Sequence, residues 1–134
     1  MKKITIEPLV QVNGVKFGCD RESARKIFGN KYKEIKKNKF SKNTMDSYKD
    51  FHVYYSEDGL FEAIEIFGKV KVIVAGYEVF PGKVDNSKKV FPEIHKDDDD
   101  WIDEKTSIGI TVMQDDHNSI EAILFGCKGY YYQQ

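Results

Sequence analysis

The sequence predicts an α+β domain: mainly antiparallel sheet, with a few short helices. Three observations predict it. Runs rich in Val, Ile, Phe and Tyr are short, and glycine- or aspartate-bearing turns punctuate them. Helical spacing of apolar residues is confined to two brief segments. A helix followed by a hairpin occurs twice, at about residues 14–68 and again at 76–126, so duplicated helix–hairpin units are expected. The chain has 134 residues, 40% of them hydrophobic and 32% charged, which suits one globular domain over residues 1–134 and not a disordered chain.

In chain order, Leu9–Val15 reads as a strand. Gly14–Asp20 then leads into a helix over Arg21–Gly29, with Asp20 as N-cap, Glu22 in the first turn and Gly29 as the stop. Ala24, Ile27 and Phe28 share one face at i, i+3, i+4 and form the expected buried stripe. Phe51–Tyr55, a turn at Ser56–Gly59 and Leu60–Phe67 read as a hairpin. Val70–Val74 is a further strand.

Sixty-three positions after the first helix, Phe80 answers Phe17, and Lys88-Lys89-Val90-Phe91 answers Arg25-Lys26-Ile27-Phe28. This second helix is short because Pro92 closes it. The second hairpin pairs Ile108–Met113 with Ser119–Phe125 around Gln114–Asn118, and Glu121-Ala122-Ile123 echoes Glu62-Ala63-Ile64. Tyr130–Tyr132 is expected to be an aromatic strand end, able to support a weak homodimer by strand addition.

The helix-to-hairpin connections differ in sign. Asn30–Asp50 carries Lys31, Lys33, Lys36, Lys37, Lys39, Lys42 and Lys49, whereas Pro92–Ser107 carries Glu93, Asp97, Asp98, Asp99, Asp100, Asp103 and Glu104. Residues 1–49 sum to +8 and residues 50–134 to −9, although the whole chain is only −1. Two opposite electrostatic faces are the expectation.

The start of the chain, Met1-Lys2-Lys3, is followed by no apolar run of signal-peptide length, and no membrane-spanning run of about 18 apolar residues occurs. A cytoplasmic location follows as the expectation, with no membrane partner. Cys19 and Cys127 lie outside any metal-ligand spacing and read as reduced thiols, with a disulfide between the halves as the alternative.

His52, His95 and His117 share no ligand spacing, and no nucleophile motif or glycine-rich phosphate loop is present. No enzyme, cofactor or metal site is therefore expected. The aspartate run lacks the alternation and glycine of a calcium loop. Two binding surfaces remain. Asp97, Asp98, Asp99, Asp100, Asp103 and Glu104, with Asp115 and Asp116, surround Trp101 like a patch for a basic protein. In the plainer alternative Trp101 packs inward and the carboxylates are merely solvated. Lys31, Lys33, Lys36, Lys37, Lys39 and Lys42, interleaved with Tyr32, Phe40 and Tyr48, form the alternative face, suited to nucleic acid. Nucleic acid is the less favoured partner, because this stretch has no arginine and the acidic half repels phosphate.

The run Phe17-Gly18-Cys19-Asp20-Arg21-Glu22-Ser23-Ala24-Arg25-Lys26-Ile27-Phe28-Gly29, with the strand ending Glu62-Ala63-Ile64-Glu65-Ile66, resembles a known unit. It is similar to the helix-plus-meander repeat of β-lactamase inhibitor protein and of the small outer-membrane assembly lipoproteins. In size and composition the whole chain resembles the small bacterial immunity proteins of polymorphic toxin systems. That resemblance implies a cytosolic protein that binds and blocks a toxin; the charge of the acidic patch separately makes it the expected contact surface, and a nuclease with a basic cleft the expected toxin.

Overall fold

Alternating aliphatic and polar residues draw the chain into two sheets that close over one core. The computed structural model describes residues 2–132. In chain order the elements are β1 (Lys3–Glu7), β2 (Gln11–Val12), β3 (Val15–Lys16), α1 (Arg21–Phe28), β4 (Lys33–Lys36), β5 (Thr44–Ser47), β6 (Phe51–Tyr55) and β7 (Phe61–Ile66). They continue as β8 (Lys71–Val74), β9 (Tyr77–Phe80), α2 (Val84–Ser87), β10 (His95–Asp97), β11 (Asp100–Asp103), β12 (Ile108–Val112) and β13 (Ile120–Gly126), ending in a 3-10 helix at Tyr130–Tyr132.

The larger sheet has eight strands, ordered β10-β11-β12-β13-β7-β6-β5-β4, and every neighbouring pair is antiparallel. The smaller has five, ordered β3-β2-β1-β8-β9, with β1 and β8 parallel. Ile4, Ile6, Val72 and Val74 of the small sheet meet Val53, Ile64, Ile66, Ile108, Ile110 and Ile123 of the large one in a single buried cluster. Ala24 and Phe28 of α1, with Phe91 beyond α2, fill the same core.

The two halves run through similar steps. A two-residue turn at Asn13–Gly14 joins β2 to β3, and one at Ala75–Gly76 joins β8 to β9, each with both residues at positive φ. A helix follows each hairpin, and four antiparallel strands follow each helix. Backbone bridges tie Asp20 to Leu60 in the first half and Lys83 to Ser119 in the second, so each helix start is pinned to the head of β7 or β13. Those two strands lie side by side at mid-sheet, with Glu65 opposite Leu124.

Several expectations need correcting. Leu9–Val15 is not one strand: positive φ at Leu9 and at the Asn13–Gly14 turn folds it back on itself. The second helix lies at Val84–Ser87, ahead of the expected Lys88–Phe91. Ile27 is 48% exposed, because α1 buries a narrower stripe of Ala24 and Phe28. Both charged connections fold as hairpins, β4–β5 and β10–β11. Tyr130–Tyr132 forms no strand edge. Tyr131 lies over Gly109, and Tyr130 lies over Gly126, where a β-carbon would collide with each ring. Among the described residues no helix is long and apolar enough to cross a membrane.

Candidate functional site

The acidic run lies on a tight hairpin. Asp97 pairs with Asp100 across it, leaving Asp98 and Asp99 at the apex, where Asp98 takes φ 57. Aspartate tolerates that left-handed conformation better than most residues, which is how a turn forms here without glycine. Because Trp101 pairs with Ile110, this apex sits beside the β12–β13 turn that carries Asp115 and Asp116. The amide of Val112 donates to Asp100 Oδ1 at 3.2 Å and ties the two turns together. Asp97, Asp98, Asp99 and Asp115 are exposed, and among the described residues none of them forms an ion pair.

The remaining residues of the expected patch serve other ends. Asp103 is 4% exposed and accepts from the Lys105 amide (3.0 Å) and Thr106 Oγ1 (2.7 Å), closing the turn after β11. Glu104 lies at the far end of β11 and pairs with His95 Nε2 at 2.6 Å. That hydrogen bond raises the His95 pKa above its ordinary value and lowers that of Glu104. Asp116 accepts from Ser119, Lys83 and the Asn118 amide, which hold its carboxyl well below the usual range.

Trp101 is no exposed anchor. It packs half-buried against the core, and Lys88 Nζ and Lys96 Nζ lie 4.5 and 5.9 Å from its ring centroid. Its Nε1 is buried without a hydrogen-bond partner among the described residues.

At the opposite edge of the sheet, β4 is exposed along its whole length. Lys33 and Lys36 lie on it, Lys31 precedes it, and Lys37, Lys39 and Lys42 occupy the loop to β5. Of the three interleaved aromatics only Phe40 is open, at 81% exposure. Tyr48 is buried and donates to the Gly29 carbonyl at 2.7 Å, while Tyr32 lies beneath the Arg25 guanidinium at 4.0 Å. The lysine edge and the aspartate edge are seven strand positions apart, about 33 Å along the sheet.

Sequence reasoning missed a buried carboxylate bonded by three donors. Asp46 is fully buried and receives Arg25 Nε (2.9 Å), Arg25 Nη2 (2.7 Å) and Tyr55 Oη (2.9 Å). Glu34 takes a further bond from Arg25 at 2.6 Å, and Arg21 stacks on Tyr55 at 4.2 Å. The hydrogen bonds Arg25 donates to Asp46 and Glu34 keep it protonated well beyond its ordinary range, and burial beside Asp46 raises the Tyr55 pKa. Two arginines at i, i+4 on α1 were the available signal, but their partner lay 21 residues on from Arg25, inside a lysine-rich stretch. The Arg25–Asp46 pair clamps α1 to β4 and β5, with Glu34 half-exposed at the β4 edge.

Other candidates carry little. His52 is a sheet-face residue packed edge-on against Phe67 at 4.8 Å, and burial lowers its pKa. His117 lies in the β12–β13 turn. Cys19 and Cys127 are free thiols, each with a pKa raised by burial. A groove of ≈ 470 Å³ between the β4–β5 and β6–β7 turns is lined by Lys37, Asn43, Tyr54 and Glu62, with no histidine among its walls. Among the described residues no group of three His, Cys, Asp or Glu side chains is placed to hold a metal ion. Compared with protein-family models, curated proteins and solved structures, the chain matches none of them.

Proposed function

We propose that the chain is a cytosolic binding protein of the immunity type, which blocks a toxin by covering a basic surface with its acidic sheet end. One observation carries this reading: two neighbouring hairpin turns present Asp97, Asp98, Asp99 and Asp115 to solvent together, free of ion pairs among the described residues and far from the lysine edge. Fixed carboxylates of one sign speed the encounter with a cationic cleft and disfavour anionic competitors. A nuclease cleft, built to hold phosphate, has the required charge. The action is occlusion, with no bond made or broken by this chain.

The residues in contact are fewer than the sequence patch implied. Asp116 and Trp101 support the two turns, Asp103 closes the turn at the other end of β11, and Glu104 is held by His95. A protein partner is favoured over nucleic acid because the lysine hairpin offers one open ring, Phe40, where stacking along a strand calls for several.

We further propose that the halves are copies of one hairpin–helix–meander unit. The matched bridges at Asp20–Leu60 and Lys83–Ser119 support this, as does the meeting of β7 with β13 about the Glu65–Leu124 pair, residues that are equivalent under the same repeat offset as Glu62 and Glu121.

The function is tested by affinity capture with the intact chain and with the variant Asp97→Asn, Asp98→Asn, Asp99→Asn and Asp115→Asn. Expected is a basic toxin domain, inhibited by the intact chain and released by roughly an order of magnitude or more in the variant. Equal capture and inhibition by both proteins would overturn the reading.

A further inference from the structure

The large sheet ends in two open strands, one carrying lysines and the other leading into the aspartate apex, and their geometry is matched. β4 reads Lys33-Glu34-Ile35-Lys36 and β10 reads His95-Lys96-Asp97, each exposed throughout. With eight strands all antiparallel to their neighbours, β4 runs opposite to β10. A second copy translated alongside the first therefore sets its β10 antiparallel to the β4 it meets, and the ladder continues without a change of hand.

The pleats agree as well. Glu34 pairs with Asp46, which pairs with Val53, so Glu34 lies on the core face. Lys96 pairs with Trp101, which pairs with buried Ile110, so it lies on the core face too. Lys33 follows Ser47 and His52 onto the outer face, and Asp97, next to Lys96, takes the same side.

We propose that copies of this chain associate head to tail through these edges, Lys33 opposite Asp97 of the second copy and Glu34 opposite its Lys96. Each cross-strand pair is then of opposite charge, its two members on one face of the sheet. The same register carries Lys31 toward the Asp98–Asp99 apex and Lys37 toward Glu93. A slip of one residue sets Lys33 against Lys96 or Glu34 against Asp97 and mismatches the pleats, so register is specified. Pairing of β4 with β4 brings two lysine-bearing edges together, whereas the lysine edge and the aspartate apex attract. The contact is heterologous, which yields an open chain of copies and not a closed dimer. It does not rest on the proposed toxin partner, although that partner and a second copy compete for the acidic edge.

Sedimentation velocity of the purified chain over a concentration series tests this. At about 20 mM salt the average sedimentation coefficient rises with concentration, and at about 500 mM it returns to the monomer value. Lys33→Glu alone and Asp97→Lys alone, each with unchanged circular dichroism, weaken association about tenfold, and mixing the two variants restores it through the reversed Glu–Lys pair. A monomer at every salt concentration, a discrete dimer that both variants retain, or a mixture that stays monomeric overturns the proposal. Lys33→Glu leaves capture of a basic toxin intact, so the two proposals fail separately.

Discussion

Asp46 shows how much one carboxylate organises when it has no access to water. Three donors reach it, from a helix and a neighbouring strand, and a buried charge that loses its partners is costly. Asp46→Ala leaves Arg25 with Glu34 alone in a half-buried setting. A loss of about 2–3 kcal/mol in chemical denaturation is expected, and a loss under about 0.5 would show that the pair is neutral. The histidines offer a second measurement at this scale. His95, bonded to Glu104, titrates above its ordinary value, and His52, shielded by the sheet face, titrates below its own. The His95–Glu104 link therefore supports the fold fully between about pH 4.5 and 6.5, fading as pH rises through the folded His95 pKa or falls through that of Glu104. The contribution from neutral His52 has the other sign: it is present above its unfolded pKa and lost on acidification. Proton NMR of the two imidazoles should place them on opposite sides of about 6.5, with Glu104→Gln returning His95 toward it.

At the scale of elements, the C-terminal 3-10 helix caps the outer face of the large sheet. Tyr130 packs on a small cluster of Met45, Tyr54 and Ala63, and Tyr131 occupies the space above Gly109 that any side chain would claim. Gly109→Ala should cost about 1–3 kcal/mol and expose the Tyr131 phenol, read by thermal unfolding and tyrosine fluorescence. Full stability in that variant would show that the tyrosine turn is only loosely seated. Removing residues 130–134 is likewise expected to lower stability without changing association, since the tyrosines form no sheet edge. The helix α1 was legible because its Asp20 cap, which accepts from the Ser23 amide at 2.8 Å, and its Gly29 stop are local signals. The charged hairpins were not: β4, exposed along its length, shows no alternation of apolar residues, and its place in the sheet comes from β5 beside it.

At the scale of the molecule, neither half closes a core alone. The parallel pairing of β1 with β8 and the central pairing of β7 with β13 both cross the midpoint of the chain, and the buried cluster draws on both sides. Fragments 1–68 and 69–134 should each lack dispersed amide spectra when separate and regain them when mixed. A folded single fragment would contradict a shared core. Charge polarity belongs to this scale too. The excess of lysine before residue 50 and of carboxylate after it was visible in the composition, and the fold sets the lysine hairpin and the aspartate hairpin at opposite ends of one sheet.

What the amino-acid order determined by itself was local: the class of fold, the first helix and its caps, the two central hairpins, and the sign of each segment. These follow from short-range periodicity, capping and net charge, which need no partner distant in the chain. Tertiary structure alone decided which carboxylates stand free. Asp103 and Asp98 are five residues apart and chemically identical, yet one is sealed by Thr106 and the Lys105 amide while the other crowns a turn. It likewise turned Trp101 inward beneath two lysines and joined Asp46 to Arg25. The reason is physical: solvation and ion pairing depend on distances across strands, and those are set only when the sheet has formed.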